Sequence, residues 1–192
     1  MRIIFIRHGR TQSNVDHLLD TDFPGAPLDE VGQEQAAGLP ERLLDEPIEV
    51  VMTSDITRAR QTGTPLATAK NVPLITHPGV REIFAGDWEM DTDWTQYQQV
   101  IYSWQDDPSI SMPNGDSGLS FFSRYDAAIE ELCTYNCAAV VSHGGALRTW
   151  LSTRGDVTID ADPQWRLKNT DTVVVEGVPG AWRILSWADR VL

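Results

Sequence analysis

Cysteine, basic residues and long apolar runs are all scarce in this sequence of 192 residues. The two cysteines, Cys133 and Cys137, have neither a second cysteine pair nor nearby histidines, so neither a zinc site nor a disulfide framework is expected. We interpret both as reduced, helix-borne and structural. The apolar run at residues 3–6 is too short for a signal-peptide core or a membrane span, so a cytoplasmic location is the default expectation.

Positive charge is outnumbered, with 15 lysines and arginines against 28 acidic residues and a net charge of −13. This balance disfavours sequence-independent binding to nucleic acid or to an anionic membrane, because both require a basic face. An anionic ligand would need a locally basic pocket. The hydrophobic fraction of 41% is enough for a core and argues against a disordered chain.

Short apolar runs alternate with helical patterns along the chain. This alternation predicts an α/β fold, a three-layer α/β/α sandwich with a mainly parallel central sheet. The length suits one domain over residues 1–192, and residues 88–118, rich in Trp, Asp, Gln, Pro and Gly, are interpreted as an insertion that shapes the substrate pocket. Strands are predicted at residues 3–6, 49–52, 73–76, 138–141, 172–175 and 182–185.

Helices are predicted between these strands. One begins at the N-cap Asp29 and is kinked or shortened by Pro40, and the next begins at a Ser54 cap and ends near residue 69. Two more are expected over residues 118–135 and 146–151. Polar residues follow several of the strands, and ligands collect at the carboxyl ends of strands in such sheets.

Two turns share the order strand, histidine, glycine. Residues 7–14 (Arg-His-Gly-Arg-Thr-Gln-Ser-Asn) combine a guanidinium, an imidazole, a glycine and neutral donors, which describes an anion-binding turn with a nucleophile. Residues 141–148 follow the same plan around His143. There a helix N-terminus would direct free N–H groups and the positive end of its dipole at an anion.

Each piece also has a plainer interpretation when it is taken alone. The Arg-His pair at residues 7–8 is then a surface or helix-capping feature, and His143 is a satisfied cap. Arg58 would pair with Asp55 or another acid on its own helix. Glu82 would pair with the adjacent arginine or cap a turn.

Five blocks in order resemble the histidine phosphatase superfamily, also called the phosphoglycerate mutase-like family, over nearly the whole chain. One block alone is a weak signal, whereas five in order argue against chance. The resemblance implies the phosphoglycerate mutase-like fold and the phosphatase branch of the family. The blocks are Arg7-His8-Gly9 with Thr11 and Asn14; Thr53-Ser54 with Arg58-Ala59 and Gln61-Thr62; Glu82 with Gly86, Trp88 and Glu89; Gly115-Asp116-Ser117; and Ser142-His143-Gly144-Gly145.

The resemblance implies that His8 attacks phosphorus and becomes a phosphohistidine, while Glu82 protonates the leaving oxygen and later activates water. A neutral imidazole is nucleophilic near neutral pH, since its unperturbed pKa is about 6.5. A covalent intermediate also divides one difficult displacement into two easier ones. To act as an acid, Glu82 must hold a proton near neutral pH.

The other family positions are implied to hold the phosphoryl group. Arg7, Arg58 and His143 would surround its oxygens, where spread charge is stabilised by several fixed cationic donors. Asn14 and the backbone N–H of Gly144 would add neutral donors. Because these groups supply positive charge, neither a metal nor a cofactor is expected.

Departures from the family pattern bear on the substrate. Arg10 stands where the family often has Glu or Gln, which would favour a substrate with a second anionic group; a solvent-facing arginine is the alternative. Thr11 is a further substrate-binding candidate in this turn. Met90 and Asp116 also depart from the pattern, in the wall that the insertion builds.

Five aromatic residues of the insertion are candidates for stacking on a sugar or an aromatic alcohol, with packing inside the subdomain as the alternative. His17 and His77 belong to no motif and are interpreted as surface or structural residues. The aromatic candidates are Trp88, Trp94, Tyr97, Tyr102 and Trp104.

Three functions follow in order of preference. The first is a metal-independent phosphatase acting on a small phosphorylated metabolite, such as a sugar phosphate or a phosphoglycerate-like compound. The second is a phosphoglycerate mutase, and the third a non-catalytic phosphate-binding or interaction module. Nucleic acid and membrane partners are not expected, and a homodimer is left open.

Overall fold

The computed structural model of the protein describes residues 1–159, 162–188 and 190–192. Within this part of the chain, seven strands form one sheet and six α-helices cover it. The strands are β1 (Arg2–Arg7), β2 (Val50–Thr53), β3 (Leu74–Thr76), β4 (Cys137–Ser142), β5 (Thr172–Val178), β6 (Ala181–Trp187) and β7 (Arg190–Val191). The helices are α1 (Gln12–Val15), α2 (Glu30–Arg42), α3 (Thr57–Lys70), α4 (Thr95–Ser103), α5 (Gly118–Glu130) and α6 (Gly144–Arg154).

The sheet has the order β3-β2-β4-β1-β5-β6-β7. Its first four strands are parallel, and β5, β6 and β7 extend it in antiparallel fashion. Ile6 and Thr53 both lie opposite Val141 of β4, so β1, β2 and β4 end at one edge of the sheet. The α/β fold is confirmed, and this edge carries the turns that hold the site.

Two buried clusters lie on the two faces of the sheet, because successive strand residues point to opposite sides. Ile4 and Ile6 pack with α2 and α3. Ile3 and Phe5 pack with α5 and α6, where Trp150 lies 5.3 Å from the Phe5 ring. Both faces of the central strands are therefore covered, which explains their continuous apolar sequence.

Helix boundaries agree with the sequence in some places and differ in others. Asp29 is the N-cap of α2 and accepts from the N–H of Gly32, and that helix ends two residues beyond Pro40. Ser54 is not the N-cap of α3; Ile56 holds that position, and the Ser54 hydroxyl accepts from its N–H. The Ser54 side chain therefore forms a local hydrogen bond in the turn before α3 and does not cap the helix.

Two further expectations need correction. The helix expected over residues 118–135 ends at Glu130 and continues as a 3-10 turn, Glu131–Thr134. Cys137 is not helix-borne but lies buried on β4, while Cys133 is exposed in the 3-10 turn; both are free thiols. Burial raises the pKa of the Cys137 thiol to about 11, which suppresses the reactive thiolate.

The segment of residues 88–118 contains α4 and packs into the main core. Tyr97, Trp104 and Met112 are buried in the same cluster as Phe121 and the central strands. No helix among the described residues is long and apolar enough to cross a membrane. The cytoplasmic location stays a prediction.

Candidate active site

His8 lies directly after β1 and is almost fully buried. Its Nδ1 is 2.7 Å from the carbonyl oxygen of Gly9, and its Nε2 is 3.1 Å from Nε of Arg58. Since the carbonyl only accepts and the guanidinium only donates, the proton is on Nδ1 and the lone pair is on Nε2. Burial, with the charges of Arg58 and Arg7 adding to it, lowers the pKa of His8 well below the ordinary value. The ring is therefore neutral and held in one orientation, as its predicted role as nucleophile requires.

Arg58 is held in the first turn of α3 by an acid that the sequence did not point to. Its Nη1 lies 3.3 Å from the carboxylate of Asp20, and its Nη2 donates to the Asp20 carbonyl at 2.6 Å. Asp20 in turn accepts from the Ser13 hydroxyl and the Ala26 N–H. No periodic pattern links residues 20 and 58, so only the folded chain reveals this pair.

Asp55 and Arg81, the alternative partners considered for Arg58 and Glu82, form an ion pair with each other. Asp55 accepts two hydrogen bonds of 2.6 Å from Arg81. This ion pair leaves Arg58 directed at His8 and Asp20, and it leaves Glu82 available to α6.

Glu82 lies at the N-terminus of α6. One carboxylate oxygen accepts from the N–H of Gly145 at 3.0 Å, and the other accepts from Ala146 at 2.6 Å and from Ile83 at 2.9 Å. A Cβ added to Gly145 would lie 2.8 Å from the nearer oxygen. The second glycine of the pair therefore permits the close approach of Glu82, a role that the motif alone did not assign.

His143 directly follows β4, is the N-cap of α6 and is fully buried. Its ring centroid lies 5.1 Å from that of His8. Within the described residues neither ring nitrogen has a hydrogen-bond partner. Burial first, and then the charges of Arg58 and the His8 ring, lowers the pKa of His143 well below the ordinary value. His143 is therefore a neutral ring with one N–H donor, and its expected part in holding the phosphoryl group stays a prediction.

Arg7 completes the cationic part of the site. Its Nη1 donates to the Leu167 carbonyl at 2.5 Å, while its Nε is buried without a partner among the described residues. Nη1 of Arg58 makes the ion pair with Asp20 but has no hydrogen bond in the described part of the chain. Buried donors are nearly always satisfied in folded proteins. Several of them around one imidazole therefore indicate a place for an anion.

The other candidates in the first turn divide between the site and the scaffold. Asn14 lines the cavity, and its side-chain oxygen accepts from Asn169 at 3.0 Å. Thr11 is fully buried as the N-cap of α1. Arg10 pairs with Asp29 at 2.7 Å, beside the start of α2. Arg10 and Thr11, both expected to contact substrate, are thus held by structural contacts and do not line the cavity in the described part of the chain.

A cavity of about 890 Å³ opens from His8 toward α4 and α6. This volume is within the range of pockets that hold drug-sized ligands, so it exceeds what a phosphoryl group alone needs. No cluster of three or more His, Cys, Asp or Glu residues suited to a metal ion occurs in the described ranges. The end of the cavity at the sheet edge is lined by Arg7, His8, Asn14, Arg58, Glu82 and Gly144.

The aromatic residues of the insertion divide between the two interpretations. Trp94 and Tyr102 are partly exposed and line the cavity. Tyr97 and Trp104 touch the cavity too, but both are buried and bonded to backbone carbonyls, so their main role is packing. Trp88 only packs against the core.

The two remaining histidines differ. His77 accepts from the N–H of Gly79 at 2.9 Å and is structural, as expected. His17, which no motif singled out, lines the cavity beside α4.

Comparison with known proteins identifies the family of this chain. The model of the histidine phosphatase superfamily (branch 1) matches residues 3–190. The chain is 32% identical to an adenosylcobalamin/alpha-ribazole phosphatase of Escherichia coli K12 over 175 residues, covering 88% of this chain and 85% of that protein. It is 27% identical to a probable phosphoglycerate mutase of Yersinia enterocolitica over 196 residues, which cover 97% of this chain and 90% of that protein.

Two solved structures have the same fold. The alpha-ribazole phosphatase of Shigella flexneri superposes with a TM-score of 0.78 at 28% identity, covering 100% of this chain and 98% of that one. A mycobacterial glucosyl-3-phosphoglycerate phosphatase superposes with a TM-score of 0.81 at 22% identity, covering 97% of this chain and 98% of that one.

Proposed function

We propose, because the chain belongs to the histidine phosphatase superfamily (branch 1), that it hydrolyses small phosphomonoesters through a phosphohistidine on His8. An enzyme of the phosphatase type is what the family and its relatives support. The observation that carries the proposal is the neutral, buried His8, with its lone pair on Nε2, beside buried arginine nitrogens that have no hydrogen-bond partner among the described residues.

In the first step, the hydrogen bond from Nε of Arg58 to Nε2 of His8 is released, Nε2 attacks phosphorus, and the P–O bond to the alcohol breaks. The bond electrons go to the leaving oxygen, which takes a proton from the Glu82 carboxyl. Nδ1 stays bonded to the Gly9 carbonyl, so the positive charge that develops on the imidazole is stabilised there. Arg7 and Arg58 offer the phosphoryl oxygens donors that are already in place, which lowers the cost of reorganisation.

In the second step, water attacks the phosphohistidine. The Glu82 carboxylate takes the water proton, the P–N bond breaks, and the electron pair returns to Nε2 of His8. Phosphate then leaves, and the Glu82 carboxyl carries the proton for the next cycle. The charge of the arginines takes the place that Mg²⁺ has in many phosphoryl-transfer sites, so we propose that no metal is required.

Selectivity for the alcohol is proposed to come from residues 88–118 as a pocket-shaping insertion in a single domain of residues 1–192. Support comes from the cavity, whose wall includes Thr92, Trp94, Gln98 and Tyr102 of this segment. The substrate is proposed to be a small phosphorylated metabolite with an alcohol the size of a sugar or nucleoside, since the cavity extends well beyond the phosphoryl site.

The test is release of inorganic phosphate from a panel of phosphomonoesters, with EDTA present. The panel includes p-nitrophenyl phosphate, alpha-ribazole phosphate, glucosyl-3-phosphoglycerate and 3-phosphoglycerate. We expect turnover by the wild type and a loss of about 10³-fold or more in His8→Ala, because the covalent step is removed. His17→Ala, which removes another histidine of the cavity wall, should lose less than about tenfold.

Retained turnover in His8→Ala would refute the assignment of the nucleophile, and dependence on added Mg²⁺ would refute the metal-independent mechanism. Product analysis with 3-phosphoglycerate separates hydrolysis from mutase chemistry. Conversion to 2-phosphoglycerate without net phosphate release would replace the proposed hydrolase by a mutase.

A further inference from the structure

The connection between α6 and β5 is fastened to the catalytic turn. Asn169 donates to the carbonyl of His8 at 3.0 Å, and Leu167 accepts from Arg7. The backbones of Arg7 and Thr170 are also bonded, at 3.0 Å. The backbone of residues 167–170 therefore has a fixed position relative to the nucleophile.

Side chains alternate between buried and exposed along this connection. Trp165 and Leu167 are buried, whereas Arg166 and Lys168 are exposed and line the same cavity as His8. Both cations therefore lie on the cavity wall, together with Leu167 and Asn169 of the same segment. The two cations form what we call the 166/168 pair.

The 166/168 pair differs in its surroundings from the arginines that form ion pairs. Within the described ranges, no carboxylate lies within 4.0 Å of either side chain, whereas six other arginines form such ion pairs. The pKa of Arg7 is lowered chiefly by burial, and the charge of Arg166 lowers it further. Arg166 is the smallest of the charges that shift this pKa, after Glu82, Arg58 and Asp171. In a chain with a net charge of −13, two cations directed at one cavity without an acidic partner suit a ligand anion.

We propose that Arg166 and Lys168 form a second anion-binding subsite, which recognises a carboxylate or a second phosphoryl group on the alcohol part of the substrate. A guanidinium binds either group with two parallel N–H bonds, and an ammonium adds a flexible point charge. The inference rests on the proposed function for the position of the first phosphoryl group at His8. It assigns to Arg166 and Lys168 the binding of a second anionic group, which the sequence had suggested for Arg10.

The test compares matched ligand pairs that differ only in the second anion. Sorbitol 6-phosphate and 6-phosphogluconate differ in one carboxylate, as do glycerol 3-phosphate and 3-phosphoglycerate. Fructose 6-phosphate and fructose 1,6-bisphosphate differ in one phosphoryl group. Binding is measured by titration calorimetry in His8→Ala, which does not turn the ligands over, and kcat/KM is measured in the enzyme with His8 intact.

In at least one pair we expect the more anionic ligand to bind about tenfold more tightly, because charge-assisted hydrogen bonds to two cations are gained. Combining Arg166→Gln with Lys168→Gln should abolish this preference and lower the corresponding ratio of kcat/KM about tenfold. The matched control combines Arg60→Gln with Arg183→Gln, which removes the same charge from exposed positions outside the cavity and should leave the preference intact.

Which pair responds distinguishes a carboxylate from a phosphoryl ligand. Equal affinities within all pairs, or a preference that survives loss of the 166/168 pair, would overturn the subsite. Because the calorimetric result does not depend on turnover, a preference in binding together with no phosphate release would support the subsite while refuting the proposed function.

Discussion

Burial keeps the two histidines of the site uncharged, and this has a consequence for stability. The pKa of each ring is lowered in the folded chain, so between that pKa and about 6.5 the unfolded chain binds protons that the folded chain does not. Stability is therefore complete above pH 6.5 and falls as the pH decreases below it. The expected slope is about 1.4 kcal/mol per pH unit for each histidine.

Urea unfolding at pH 7.5, 6.5 and 5.5 measures this effect. Replacing His143 in His143→Gln removes one of the two groups, so the loss of unfolding free energy between pH 6.5 and 5.5 should be about half that of the wild type. An equal loss in both proteins would contradict the assignment of His143 as a buried neutral ring.

At the level of elements, the N-terminus of α6 determines the position of the proposed acid. Its first N–H groups bind Glu82, and only glycine at position 145 allows the carboxylate to lie so close. The helix therefore positions a reacting group and does not only bind an anion. A side chain at position 145 should affect catalysis more than folding.

Gly145→Ala tests this role of α6. The added methyl group would meet Glu82, so kcat should fall about tenfold or more, with larger losses for alkyl phosphates than for p-nitrophenyl phosphate, whose leaving group hardly needs a proton. The control is Gly38→Ala in α2, where a Cβ meets nothing within 4 Å. It should raise the unfolding free energy by about 0.5–1 kcal/mol and leave kcat unchanged. Equal losses with both leaving groups would contradict the role of Glu82 as acid.

At the level of the whole molecule, residues 88–118 share the core of the sheet. Tyr97, Trp104 and Met112 pack in the cluster that contains Phe5 and Trp150. A segment buried in the main core loses its packing when that core opens, so it should not unfold separately.

We therefore expect one unfolding transition in urea. The curves from far-UV circular dichroism and from tryptophan fluorescence should coincide, since Trp94 and Trp104 of this segment report on the same event as the sheet. An earlier fluorescence transition, accompanied by loss of activity, would show that the segment unfolds as a separate unit.

The central strands could be located from the sequence to within about one residue, because strands covered on both faces are continuous apolar runs. The motif residues at their ends could be named because their five blocks resemble the histidine phosphatase superfamily. Asp20, His17 and the 166/168 pair could not, since their positions depend on loops that meet only in the folded chain. For Arg10 the sequence was misleading in the opposite way. Its neighbours in sequence belong to the motif, but its side chain pairs with Asp29.

Strand β4 lies between β1 and β2, although it is synthesised long after both. Until residue 142 has left the ribosome, β1 and β2 have no strand between them, and His143 cannot lie beside His8. No N-terminal fragment shorter than this can assemble the site. The nascent chain meanwhile exposes two apolar strand edges, and exposed edges of this kind favour aggregation during synthesis.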